Sequence, residues 1–227
     1  MSAPMREIGA DLWVVERPQR FLGLEIGTRM SIVRLADESL FLHSPVALDP
    51  ELRAALAARG PVRAIVAPNR FHHLYVGEYT TSYPRATIYG APGLAEKRRD
   101  LPLAVTLLDD APPAWAGQID QLVFRAMPLL NEAVFLHRRS RSLILTDLAF
   151  NVHRPSSLAG RLFLQLDGIY RQFGIGWAER LLVRDRGAAR AAIDRILRWD
   201  FERIVVAHGE VLERDGKETL RAAFAWL

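Results

Sequence analysis

Cysteine is absent from the 227-residue chain. That excludes disulfide scaffolds, thiolate zinc fingers, iron–sulfur clusters and cysteine nucleophiles. Any bound metal must then be held by His, Asp, Glu, Asn or backbone oxygen. Long apolar runs are absent too. None approaches the ~18–20 residues that cross a bilayer, and the opening MSAPMREIGADLW lacks the apolar stretch of a signal peptide. A cytoplasmic location without a transmembrane segment is the expectation. Nor does the chain carry a G-x-S-x-G elbow, a G-x-x-x-x-G-K-[ST] loop, or a G-x-G-x-x-G after a strand. Serine hydrolases, nucleotide hydrolases and dinucleotide-dependent enzymes are thereby disfavoured.

Lysine is scarce: all but Lys97 and Lys217 of the 30 basic residues are arginine. The formal charge is +4, and its placement says more than its total. Segment 154–190 holds seven arginines (154, 161, 171, 180, 184, 186 and 190) against Asp167, Glu179 and Asp185, so it carries the whole excess. Nucleic acid is not an expected partner, because no binding module is recognisable and the aromatics are not interleaved as stacking platforms. Half the residues are hydrophobic, enough for one packed domain of this length.

The N-terminal third reads as a meander of strands, 12–15, 27–35 and 39–42, leading into His43-Ser44-Pro45. Asp49-Pro50 supplies a cap and a first-turn proline for a helix that Gly60-Pro61 stops. A buried strand at 62–67 leads to Pro68-Asn69-Arg70-Phe71-His72-His73. Strands recur at 87–89, 105–108 and 121–126. A hairpin then pairs 132–137 with 143–146, ending at Asp147. Segment 154–190 reads as one or two amphipathic helices broken at Gly174 and Gly176, whose broad apolar face must be covered by something, as it would be in a lid over a site. A helical stripe at Ala189, Ile193, Ile196 and Leu197, a strand at 204–207 ending in His208-Gly209, and a last helix close the chain.

Three short apolar strands thus end at polar groups: RAIVA before Asn69, His72 and His73, LILT before Asp147, and IVVA before His208. Strand ends can converge at one rim of a sheet without disturbing its core, so these groups predict one site. Because His72 and His73 are adjacent, their side chains diverge in regular structure, by about 100° on a helix and to opposite faces on a strand. At most one of them binds directly. Against a functional role, Asp147 could equally cap a helix, and Glu132 could be a solvated turn residue. Arg70 could hold an anionic group if no metal is present. His43 reads as a structural turn residue, and His137 and His153 as surface groups.

The stretches LWVVERP, GTRMSIVRL, SLFLHSP, APNRFHHLYVGEY, NEAVFLHRRSRSLILTDLAFN and VVAHGE together resemble the metallo-β-lactamase superfamily, and most closely domain-of-unknown-function family 4336. The resemblance covers nearly the whole chain and implies an α+β fold, a four-layer αββα sandwich formed by residues 1–227 as a single domain, with a basic helical insertion or lid at about 154–190. In that superfamily an H-x-H-x-D-H motif, a later His, a bridging Asp and a final His hold one or two metal ions. Carried over, the bridging role falls on Asp147 and the final histidine on His208. Anchoring the first motif on Gly77 puts Arg70, His72, Leu74 and Tyr75 at its ligand positions, so only His72 survives there, and Asn131 and Glu132 stand where the later His would be.

The implied function is a metal-dependent hydrolase with a reduced, mononuclear site. His72, Asp147 and His208 would hold one divalent ion, Zn in the first instance with Fe or Mn as alternatives, and Glu132 or His73 would assist. Asp147 and His72 carry the catalytic expectation, and the substrate expected is a small, anionic ester, lactone or phosphoester. The rival reading is a metal-free binding or interaction module on a degenerate metallo-β-lactamase fold.

Overall fold

The computed structural model describes residues 4–21, 23–155 and 157–227; the first three residues of the opening segment and Ser156 of the basic segment lie outside them. The meander expected at the N-terminus is formed by β1 (Arg6–Gly9), β2 (Leu12–Arg17), β5 (Thr28–Arg34) and β6 (Leu40–His43), all antiparallel, with a small hairpin, β3 (Arg20–Phe21) and β4 (Leu24–Glu25), inserted between β2 and β5. Helix α1 (Pro50–Ala57) begins at Asp49, whose side chain accepts from Leu52 N. It delivers the chain to β7 (Val62–Ala67), parallel to β6. Then follow α2 (Val76–Ser82), β8 (Thr87–Gly90), α3 (Leu94–Lys97) and β9 (Val105–Thr106), giving a seven-stranded sheet ordered β1-β2-β5-β6-β7-β8-β9.

The second sheet is built from β10 (Ile119–Phe124), β11 (Glu132–His137), β12 (Ser142–Ile144) and β13 (Arg203–Val205), the last two parallel. Between β12 and β13 run α4 (Leu158–Leu166), α5 (Trp177–Arg180) and α6 (Arg186–Leu197), and α7 (Gly216–Ala223) closes the fold. The expected breaks at Gly174 and Gly176 fall between α4 and α5, so the basic segment is interrupted as read and its last arginines belong to α6.

Side-chain alternation explains why the strands are apolar on both faces. In β2, Leu12 and Val14 join Val33, Phe41 and Val66 of the first sheet against Val123, Phe135, Ile144 and Val205 of the second. Trp13 and Val15 face the other way, onto Leu52 and Leu56 of α1, Tyr79 of α2 and Leu94 of α3. The second sheet repeats the scheme: Leu122, Phe124, Val134, Leu143 and Ile204 pack on Ala189, Ile193 and Ile196 of α6 and Leu220 of α7. The architecture is the expected α+β sandwich of helix, sheet, sheet and helix.

Two expectations are corrected. His137, read as a surface group, is buried on β11 with its Nδ1 2.8 Å from Ser140 Oγ, and burial lowers its pKa to about 4. The apolar face of the basic segment, expected to be covered, is open: Leu158, Leu162 and Leu166 of α4 are exposed, and only Gly160 and Leu164 of that helix are buried.

Candidate metal centre

The site forms where strands from both sheets end. In the second sheet the parallel register pairs Ile144 with Val205, and Asp147 and His208 each stand three residues beyond that pair, so they emerge side by side. His208 Nε2 lies 3.1 Å from Asp147 Oδ1. The first sheet contributes the loop after β7. Its backbone is stitched to the second sheet, Arg70 N donating to Leu130 O at 3.1 Å and Ala133 N to Pro68 O at 2.7 Å. That brings His72 Nε2 to 3.3 Å from Asp147 Oδ1 and 3.1 Å from His208 Nε2.

Each donor is held from behind. Nδ1 of His208 lies 2.7 Å from the carbonyl oxygen of Gly27, which only accepts, so Nδ1 carries the proton and Nε2 is left to face the site. His72 Nδ1 is 2.6 Å from Ser44 Oγ. The turn that carries His208 is clamped by Arg29, buried on β5, which donates to the carbonyls of Val206 and Gly209 and pairs with Glu16. Gly209 itself has φ +96°, and a Cβ there would stand 2.1 Å from Asn151 O, so only glycine fits this crossing.

Asn69 joins the two halves. Its Oδ1 accepts from Phe71 N at 2.7 Å and His72 N at 2.8 Å, shaping the His72 turn, while its Nδ2 reaches Asp147 Oδ2 at 2.7 Å, Thr146 Oγ1 at 2.9 Å and Glu132 Oε2 at 3.2 Å. Glu132, fully buried, accepts from the backbone N–H of Thr146, Asp147 and Leu148 at 2.7, 2.7 and 3.0 Å. Three successive amides on one carboxylate fix the turn that presents Asp147.

The electrostatics follow from this packing. Burial alone would raise the pKa of Asp147, but the His72 and His208 imidazoles outweigh it and hold the carboxyl well below the usual range. Burial also opposes a charge on His72, yet the Asp147 carboxylate beside it carries its pKa above the ordinary imidazole value. Glu132 is pushed up by burial and by the charge of Asp147, against the pull of its amide donors. His43, at the end of β6, stacks edge-on to Phe135 and is driven down to about 3 by burial and the neighbouring His72.

The sequence-predicted residues therefore divide. His72, Asp147 and His208 each offer one ligand atom, all within 4.8 Å of one another. The other two expected ligands are placed elsewhere: Glu132 is occupied by backbone amides, and His73 turns away, its Nδ1 2.7 Å from Arg98 Nη1 and its pKa lowered to about 4 by burial and then by Lys97 and Arg98. Of the remaining motif positions, Arg70 Nη1 donates to Pro128 O, Leu74 is exposed, and Tyr75 donates to Gln19 Oε1 at 2.8 Å. Sequence reading missed Arg29, Ser44 and the carbonyl of Gly27. None carries a motif, and each acts only through a contact made across the fold.

The donor set fits a metal ion. Tetrahedral ligands about 2.0–2.1 Å from zinc stand roughly 3.3–3.4 Å from one another, and the three distances here run from 3.1 to 3.3 Å. Two unprotonated imidazole nitrogens at such a separation repel unless a cation, a proton or a metal, lies between them.

Comparison with known proteins places the family and the fold. A family model described as a domain of unknown function (DUF4336) matches residues 10–162, and the chain belongs to that family. No curated protein matches. Among solved structures it is similar to a metallo-β-lactamase from Pontibacter korlensis, with 14% identity, 97% of this chain and 98% of the other covered, and a TM-score of 0.66. It is also similar to the FIM-1 metallo-β-lactamase from Pseudomonas aeruginosa in a mono-zinc form (12%, 99% and 96%, 0.65). A third similarity is to the metal-soaked Flv1 flavodiiron core from Synechocystis sp. PCC6803 (12%, 98% and 60%, 0.66). The fold is that of the metallo-β-lactamases.

Proposed function

We propose that the protein is a metal-dependent hydrolase with a mononuclear site, in which His72, Asp147 and His208 hold one divalent ion, zinc before iron or manganese. The observation that carries this reading is the convergence of two imidazole nitrogens and one carboxylate oxygen at 3.1–3.3 Å, the spacing of ligands around one small cation. Arg70, Leu74 and Tyr75 offer no imidazole or carboxylate where a second ion would be held, which favours one ion over two. A similar protein in a mono-zinc form is in keeping with that count.

When bound, the ion would supply the Lewis acidity that activates water at neutral pH, for attack on a small ester, lactone or phosphoester. The chain's own contribution is orientation and charge. Gly27 and Ser44 aim the two imidazoles, Asn69 and Glu132 aim the carboxylate, and the buried surroundings strengthen each interaction. Asp147, held ionised, would present Oδ1 as the one anionic donor to the ion.

Elemental analysis of protein purified without chelator, beside Asp147→Ala, tests this. About one Zn, Fe or Mn per chain, lost in the variant while the circular dichroism is unchanged, supports the site and directs a screen of esters, lactones and phosphoesters. No uptake, even with excess metal, rejects it in favour of a metal-free binding module.

A further inference from the structure

The face of the 154–190 segment that the fold leaves uncovered has a composition of its own. Leu158, Leu162 and Leu166 stand at i, i+4 and i+8 on α4, forming one stripe, and they are 84%, 57% and 75% exposed. The stripe continues past the helix end: Trp177, 62% exposed, packs beside Gly168, where a Cβ would stand 2.9 Å from its Nε1, and Leu181 follows it. Leucines exposed in a row beside an exposed tryptophan make an apolar patch of the kind that marks an interaction surface. The patch is flanked by cations. Arg161, one turn from Leu158, reaches over the Tyr170 ring, and Arg171 is exposed; neither forms an ion pair among the described residues. Arg180 lies over the Trp177 ring. The three acids of the segment are engaged elsewhere: Asp167 is buried facing Glu179 across Gly176, and Asp185 caps α6 by accepting from Ala188 N.

We propose that this face docks on an anionic membrane surface, with Leu158, Leu162, Leu166 and Trp177 entering the interfacial layer and Arg161 and Arg171 on the lipid headgroups. An apolar stripe edged by arginine and carrying tryptophan has the two chemistries such an interface rewards, apolar burial and attraction to negative headgroups. A second copy of the chain fits less well. A two-fold pairing through this stripe would set one arginine-edged patch against another, and like charges facing each other oppose association. The proposal stands apart from the metal-centre reading and does not need it.

The test is co-sedimentation of the full chain with vesicles of phosphatidylcholine alone and of phosphatidylcholine mixed with phosphatidylserine, in low and high salt. Binding to the mixed vesicles only, weakened by salt and accompanied by a blue shift of tryptophan emission, is expected. Leu162→Glu with Leu166→Glu should abolish binding. Arg161→Glu or Arg171→Glu should weaken it by about tenfold, and all of these exposed positions can change without unfolding the protein. No binding to either vesicle, or equal binding to both regardless of salt, overturns the proposal. So does a concentration-dependent dimer that the leucine variant dissociates, which would give the face to a second copy.

Discussion

His72 Nε2 and His208 Nε2 lie 3.1 Å apart, with Asp147 Oδ1 beside both. The two histidines come from opposite sheets, so the relationship measures how closely the sandwich is drawn together at this rim. The residues behind it can be tested separately from the three donors themselves.

Asn69 is the first of these. Replacing it with Ala leaves three acceptors without their shared donor and releases the His72 turn. Metal affinity should fall about 10–100-fold, the usual effect of losing an outer support, with the fold retained. Asn69→Asp, which sets a third carboxylate beside Glu132 and Asp147, should be worse. Zinc titration of both variants checks the order, and an unchanged affinity in Asn69→Ala would remove Asn69 from the site.

Glu132→Gln tests the neighbouring support. Glutamine has one carbonyl oxygen, whereas Glu132 accepts three backbone amides and the Asn69 amide through two oxygens. At least one buried N–H loses its acceptor, so the variant should lose about 2–3 kcal/mol of stability, read as a lower midpoint in urea. If Glu132 were instead a metal ligand, stability of the metal-free protein would barely move.

His43 sets an acid limit. Its pKa falls from an ordinary 6.5 to about 3, so the folded state binds fewer protons than the unfolded chain. Its contribution to stability is present above pH 6.5 and is lost as the pH drops toward 3. His43→Leu should flatten the fall in urea midpoint between pH 6.5 and 4. A slope equal to that of the wild type would assign the acid sensitivity to other groups.

Glu179 acts in the opposite sense. Partial burial, and then the facing Asp167, raise it from 4.5 to about 7, so the folded state holds a proton that the unfolded chain releases. That contribution is present below pH 4.5 and is lost as the pH rises through 7. Glu179→Gln keeps the shape and removes the charge. It should gain up to about 2 kcal/mol over wild type at pH 8, discounted for partial exposure, and little at pH 5. Urea midpoints at the two pH values decide it.

Much of this was legible in the sequence, for identifiable reasons. Strands such as Val62–Ala67 are buried on both faces and read as continuous apolar runs, and the α1 cap at Asp49-Pro50 is a local signal that the fold retains. His72, Asp147 and His208 were legible because each directly follows such a run. Glu132 was legible as a residue near the site but not in its task, since its partners are backbone amides of a turn at 146–148, and backbone leaves no mark on sequence. His137 looked like a surface group but is buried by the neighbouring strands. The exposed leucines of α4 follow a helical period that normally implies a covered face, and periodicity cannot say what covers it.

The hydrogen bond from His208 to Gly27 spans 181 residues, that from Arg29 to Val206 spans 177, and His72 meets His208 across 136. Chain closures this long come late in folding. The site therefore depends on the slow, long-range kind of closure, and the stretch 10–162 that the family model matches holds only two of the three donors. Until β13 arrives with His208 beyond it, a partly made chain has no complete set of donors, so capture of the proposed ion would require both sheets to be in place.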